Sequence, residues 1–190
     1  YVGLERVDRL SKEYNIEVEG RAYLLRPDTP KEGKERAPRP GETPDALSGP
    51  VGTQAGESGL TMRPPKITPN TLYSLEATEY AQQHGKFIEY HHEAYKAYWA
   101  DGEDLGDIEV LGRIATAVDL DAAELMEHVK TGVYSETVMD QYQQALQYGI
   151  RGIPTFVVGN LLFTGAQPYD VFKSAMEKIL TQEPETRDTA

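Results

Sequence analysis

Three groups of residues have types and spacings that could do chemistry. The first is Gly152-Ile153-Pro154-Thr155, inside the run from Gly149 to Pro168. Proline lacks an N–H, so Pro154 opens a strand rather than sitting inside one. X-Pro is also the peptide bond that takes the cis form at low cost, and cis is expected at Ile153-Pro154. Such a turn leaves the Ile153 backbone facing outward, where an extended peptide can pair with it. The second group is His91-His92, close in sequence to Glu89, Glu93 and Tyr90, Tyr95 and Tyr98. Adjacent helical residues point about 100° apart, which suits chelation of one metal poorly. His84, His91 and His128 have no ligand spacing such as H-E-x-x-H. No metal site is expected there, but one inward, hydrogen-bonded imidazole beside a solvated one. The third group is the acidic turn Asp101, Glu103, Asp104 and Asp107. It lacks the ordered ligand spacing of a calcium loop, and is expected to cap a helix. No Walker loop, G-x-G-x-x-G or G-x-S-x-G occurs.

The 190 residues contain no cysteine, so they supply neither a thiol nucleophile nor a disulfide. Net charge is −12, from 19 basic and 31 acidic residues, which argues against nucleic acid or an anionic membrane as main partner. No apolar run approaches the ~20 residues of a membrane span.

The elements that must position these groups follow from periodicity. Leu4, Val7, Leu10 and Tyr14 give a 3-and-4 spacing, an amphipathic helix from Val2. Unpaired N–H groups and the positive dipole end make its N-terminus the place where a thiolate would be stabilised. Ile16 to Leu25 alternates and predicts a strand, with Gly20 as a bulge. Residues 26–69 hold nine of the twelve prolines and six glycines, and are expected to be a long irregular, partly mobile loop; a surface connection is favoured over a lid. Asn70 to Tyr148 reads as five helices. The expected caps are Asn70, Asp107, Asp121 and Ser135, and the stops include Gly85, Gly102 and Gly132. Expected inward faces are Ile88, His91, Tyr95, Tyr98 and Trp99 in the second of these helices. In the fifth they are Val138, Met139, Tyr142, Ala145 and Leu146. Thr155–Val158 and Leu161–Thr164 then read as strands about a Gly159-Asn160 turn of type II′. Pro168 to Leu180 closes as a helix burying Val171, Phe172, Ala175, Met176 and Ile179, with a polar tail from Thr181 expected to fray.

Arg-Gly-Ile-Pro-Thr-Phe-Val from Arg151, followed by Thr-Gly-Ala-Gln-Pro from Thr164, resembles the cis-proline loop and closing hairpin of the DsbA-like thiol–disulfide oxidoreductases. The FrnE-like bacterial branch is the most similar. The resemblance extends from Tyr1 to about Leu180, apart from the proline-rich loop. It implies an α/β, thioredoxin-like fold with an all-α helical insertion. In that reading 1–69 and 149–190 form the two parts of the thioredoxin-like domain, and 70–148 is the insertion. It further implies that Pro154 faces the redox pair and that Gly152, Ile153 and Thr155 bind substrate. The family's chemistry uses a Cys-x-x-Cys at the start of its first helix. Tyr1-Val-Gly resembles the segment just after the second cysteine, so the pair is expected immediately before Tyr1. Without it the present chain is expected to be redox-inactive.

The resemblance implies no cofactor, a thiol- or disulfide-containing protein or small molecule as substrate, and a cytoplasmic location, with oligomeric state, including a dimer, left open. It also reaches the 2-hydroxychromene-2-carboxylate isomerase and kappa-class glutathione transferase group. Those enzymes place a serine near the glutathione sulfur and need no protein cysteine. A glutathione-dependent isomerase or transferase is therefore the second reading, and a non-catalytic peptide-binding module the third.

Overall fold

The computed structural model describes residues 1–181. Among them the element order is α1 (Val2–Glu13), β1 (Lys34–Glu35), α2 (Gly49–Glu57), β2 (Ile67–Thr68), α3 (Leu72–Gln83), α4 (Phe87–Trp99), α5 (Ile108–Ala117), α6 (Ala122–Thr131), α7 (Ser135–Gln147), β3 (Thr155–Val158), β4 (Leu161–Thr164) and α8 (Tyr169–Thr181). Thr181 closes α8, and the rest of the tail expected to fray lies outside the described residues. The chain forms two compact units. One comprises Gly3–Glu17 and the chain from Gly152; the other comprises Tyr1–Val2 and Val18–Arg151. The stretch after Glu17 therefore clusters with the helical block, not with α1.

In the first unit β3 and β4 pair antiparallel, from Thr155↔Thr164 to Val158↔Leu161, leaving only Gly159 and Asn160 to turn. Gly159 has φ +59° and Asn160 is not in the positive-φ region, which is the type II′ pattern. Strand alternation puts Phe156 and Phe163 on one face, 5.5 Å apart. Both meet the edge of Phe172 on α8, at 4.7 and 4.9 Å. Leu10 of α1 and Tyr169 join this cluster. The Tyr169 hydroxyl donates to Glu13 at 2.8 Å, Lys173 donates to Glu13 at 2.9 Å, and the Arg9 guanidinium lies 3.9 Å from the Tyr169 ring centre. Those bonds, Lys173 first, hold the Glu13 carboxyl below the usual carboxylate range. The buried stripe of α8 is Tyr169, Phe172 and Ala175; Val171, expected inward, is exposed.

The second unit is built on α3 to α7. Its core is Ala77, Tyr80 and Ala81 of α3, Tyr90, Ala94 and Ala97 of α4, Leu111, Ile114 and Ala115 of α5, and Leu125 and Val129 of α6. On α4 the residues expected inward, Ile88, His91, Tyr95, Tyr98 and Trp99, are half-buried, and the fully buried stripe is Tyr90, Ala94 and Ala97. Alanines at 94 and 97 let neighbouring helices approach closely, and Tyr90 fills the gap, its hydroxyl 3.4 Å from the Leu111 carbonyl. In α7, Val138 and Gln141 are buried, whereas Met139 points outward. Asp107 and Asp121 cap α5 and α6 as expected, accepting from the Glu109 and Glu124 amides. Asn70 does not: Thr71 occupies the cap position, while Asn70 Oδ1 accepts from Leu72 N–H at 3.0 Å. Ser135 is likewise the first residue of α7, not its cap, and donates to Glu76 at 2.8 Å.

Two longer stretches also differ from what was expected. Ile16 to Leu25 alternates in burial, with Ala22 and Leu24 inward and Glu17, Glu19 and Arg21 outward, yet it is not a ladder strand. Side-chain amides replace the missing neighbour. Gln82 accepts from Gly20 N–H at 2.7 Å and donates to Gly20 C=O at 3.2 Å, and Gln141 accepts from Ala22 N–H at 2.5 Å. Gly20 is no bulge; a Cβ there would lie 2.1 Å from the Phe87 ring. The proline-rich 26–69 stretch is not structureless either. It carries α2, whose Ala55 is buried, and a two-residue ladder, Lys34↔Thr68 and Glu35↔Ile67. Arg36 and Glu42 form a bidentate pair inside it, and Met62 is buried.

Replacing Gln82 with Ala deletes both bonds to Gly20. The expected loss is about 1–2 kcal/mol in urea unfolding, with the Gly20 amide exchanging faster than in wild type. Unchanged exchange at Gly20 would show that the ribbon is held by other contacts.

Candidate active site

The turn Gly152-Ile153-Pro154-Thr155 leads into β3, and its Ile153–Pro154 bond is cis. Three hydrogen bonds fix the turn. Thr155 Oγ1 donates to the Gly152 carbonyl at 2.8 Å, and lies 3.1 Å from Thr164 Oγ1 on β4. Gly165 N–H donates to the Pro154 carbonyl at 2.7 Å. The residue left over is Ile153. Its N–H and C=O make no hydrogen bond with any described residue, and its surface is 49% exposed. One free donor and one free acceptor on the same residue are what an incoming antiparallel strand exchanges with its partner.

The first turn of α1 lies against this loop. A Cβ at Gly3 would stand 3.0 Å from Pro154 Cγ, 3.0 Å from Phe156 Cζ and 3.3 Å from Pro154 Cβ. Only a bare α-carbon lets the helix approach this closely without displacing the two rings. This brings the first described turn of α1 beside Pro154. Glu5, in the same first turn, is ion-paired to Arg6 and lies 4.0 Å from Arg9. Its charge is locally offset. Arg6 is buried, and its Nε has no protein partner. Below Gly3, Leu10 joins the Phe172 cluster, so the hairpin that carries Pro154 and the helix facing it share one core.

The sequence singled out Gly152, Ile153, Pro154 and Thr155, and the structure gathers all four in this turn. It gives them different parts: Ile153 presents the free backbone, whereas the Thr155 hydroxyl is engaged by Gly152 and Thr164. Gly3 was not singled out. A glycine in the first turn of an otherwise amphipathic helix was the available signal. His91 and His92 belong to the helical unit. His91 sits between Phe87 (4.5 Å) and Tyr95 (5.1 Å), and burial, its largest influence, pushes its pKa down to about 4. An imidazole so placed is neutral at physiological pH. In the acidic turn, Asp104 accepts from Gly106 N–H, Asp107 caps α5, Asp101 pairs with Lys96 and Glu103 with Arg113. Among the described residues no three His, Asp or Glu side chains are grouped to hold a metal, and no helix is long and apolar enough to cross a membrane.

With this geometry in place, comparison with known proteins is informative. The profile of the DsbA-like thioredoxin domain matches residues 1–177. The uncharacterized protein YwbO of Bacillus subtilis is 26% identical over 192 residues, covering 93% of this chain and 88% of that protein. A probable DsbA oxidoreductase from Streptomyces coelicolor superposes with a TM-score of 0.79 at 23% identity, over 97% of this chain and 86% of its own. A 2-hydroxychromene-2-carboxylate isomerase superposes with a TM-score of 0.73 at 15% identity, over 96% and 90%. The two structures share the fold: thioredoxin-like, with a helical insertion.

Gly-to-Ala within a helix ordinarily gains about 1 kcal/mol. At Gly3 the methyl group must push the Pro154 or Phe156 ring aside, so Gly3→Ala is expected to lose about 1–2 kcal/mol in urea unfolding. A gain in stability would mean that α1 does not rest on Pro154.

Proposed function

This chain belongs to the DsbA-like thioredoxin domain family, and from that premise we propose that the protein is a thiol–disulfide oxidoreductase whose substrate docks along Ile153. The observation that carries the reading is the pairing of an unpartnered Ile153 backbone with the first turn of α1 packed on Pro154. An extended segment bearing a disulfide adds to Ile153 through two backbone hydrogen bonds. Its sulfur is then held beside the helix start.

The reaction needs two thiols, and these 190 residues have none. On the likeness of Tyr1-Val-Gly to the family segment that follows its redox motif, we place a Cys-x-x-Cys immediately upstream of Tyr1. The first thiolate attacks one substrate sulfur. A new protein–substrate S–S bond forms, the substrate S–S bond breaks, and the departing sulfur leaves as a thiolate that takes up a proton. The second thiolate attacks the first cysteine's sulfur in that mixed bond, releases the other substrate thiolate and leaves the protein pair oxidised. Run in reverse, the same steps oxidise a substrate dithiol. The contribution of the residues described here is to orient the substrate at Ile153 and to stabilise the attacking thiolate at the α1 N-terminus. Substrates of this chemistry are disulfide- or thiol-bearing peptides and small molecules, and a cytoplasmic setting with reducing partners suits the reductive direction.

One observation favours a second reading. A cysteine-free chain of this fold suits a glutathione-dependent isomerase, as the similarity to the 2-hydroxychromene-2-carboxylate isomerase fold suggests. Glutathione's γ-glutamyl backbone would use the same Ile153 groups.

The test is insulin disulfide reduction by the full-length gene product beside a variant with its first upstream cysteine changed to serine. Turnover by the native protein and its loss in the variant are expected. Equal rates, or a gene with no cysteine upstream of Tyr1, overturn the proposal, and glutathione binding would then support the second reading.

A further inference from the structure

The α3–α7 interface contains two carboxyls that no basic side chain among the described residues neutralises through an ion pair. Glu76 is 1% exposed and Glu79 is 5% exposed. They stand three residues apart on α3, hence on one helix face. Glu76 Oε1 accepts from Ser135 Oγ at 2.8 Å, and its carboxyl also accepts from the Tyr134 amide, at the start of α7. Glu76 Oε2 is buried with no protein partner. Glu79 is hydrogen-bonded to Gln141, in the middle of α7, and Gln141 in turn accepts from Ala22 N–H in the extended ribbon. So α7 is held at two points by carboxyl groups of α3, and the ribbon hangs on the second of them.

A buried carboxylate costs far more than a buried carboxylic acid, because only the charged form loses its hydration on burial. We propose that the α3–α7 interface is a proton-sensitive latch: α7 and the ribbon tied to Gln141 dock through hydrogen bonds to the buried Glu76 and Glu79 carboxyls, proton uptake at these carboxyls tightens that docking, and ionisation loosens it.

The surrounding charges fit this assignment. No charged side chain acts on Glu76; its neighbours are Ser135 and Tyr134, whose hydroxyl donates to Gln83 and whose ring packs on His128. Glu79 feels Arg21 and Glu19, of opposite sign, from the ribbon. Burial is the largest influence on both and raises both carboxyls above their ordinary range. The sign follows. A group bound more tightly to its proton in the docked state contributes its stabilisation fully below the free carboxyl range, and that contribution is lost as pH rises through the raised value. The latch therefore tightens as the solution becomes more acidic. Global stability cannot report this, because neutral, buried His91 acts with the opposite sign: its contribution is lost as pH falls from about 6.5 toward 4.

The experiment is native-state amide hydrogen exchange at Ser135 to Gln141, between pH 5 and 8, corrected for intrinsic exchange. It uses the whole chain, with Glu76→Gln and Glu79→Gln as single variants. In wild type the opening constant of α7 is expected to rise with pH, by at most about tenfold per pH unit for each carboxyl that titrates. Each variant is expected to show a shallower dependence. Wild-type opening that is flat, or that falls as pH rises, overturns the proposal without reference to any variant. So does an unchanged slope in both glutamine variants.

Discussion

The contact between Gly3 and Pro154 is the constraint on which the candidate site depends. A missing side chain at Gly3 brings the first turn of α1 to van der Waals distance of the Pro154 ring. The same helix, one and two turns on, is locked by Leu10 in the Phe156, Phe163 and Phe172 cluster and by Glu13 on Tyr169 and Lys173. The helix cannot withdraw from the loop without opening that core. The first described turn of α1 and the free Ile153 backbone are therefore held in fixed relation.

The helical unit solves a different problem. The alternating ribbon after Glu17 has strand character but pairs with no strand. Its amides are satisfied by Gln82 and Gln141, which reproduce with side chains what a neighbouring strand would supply through its backbone. Gln141 is itself fixed by Glu79, so the ribbon, α3 and α7 form one hydrogen-bonded network inside an otherwise apolar unit. Such a network is strong when every member is satisfied and sensitive to the protonation of its carboxyls.

Much of this was legible in the sequence, and what was not has physical causes. The hairpin was readable because Pro154, Gly159 and Gly165 punctuate two short β-rich runs. The five-helix block was readable from its spacing and from Asp107 and Asp121. The ribbon from Ile16 was read correctly for its alternation and wrongly for its pairing, since periodicity reports which side is buried and not which group accepts a hydrogen bond. On α4 the half-buried aromatic side was read, but the fully buried contact made by Ala94 and Ala97 was not, because large aromatic residues draw the eye. In the 26–69 stretch, α2 was invisible because a helix with three glycines, a proline and only Val51 and Ala55 as apolar residues carries no strong stripe. Of the site, the Pro154 turn was legible, but its partner Gly3 was not. Glu76 and Glu79 were hidden for the same reason: a glutamate in a helix reads as a solvated face unless its packing is known.

The most direct measurement of the proposed redox reading is the pKa of the first thiol of the Cys-x-x-Cys proposed upstream of Tyr1, in the reduced full-length protein, followed by thiolate absorbance near 240 nm. Held beside the Pro154 loop as proposed, that thiol is predicted to titrate well below the free-thiol value of about 8.5, and to shift back toward it when Gly3→Val forces the helix away from the loop. A thiol that titrates near 8.5 in the native protein, or one unmoved by Gly3→Val, would contradict the account.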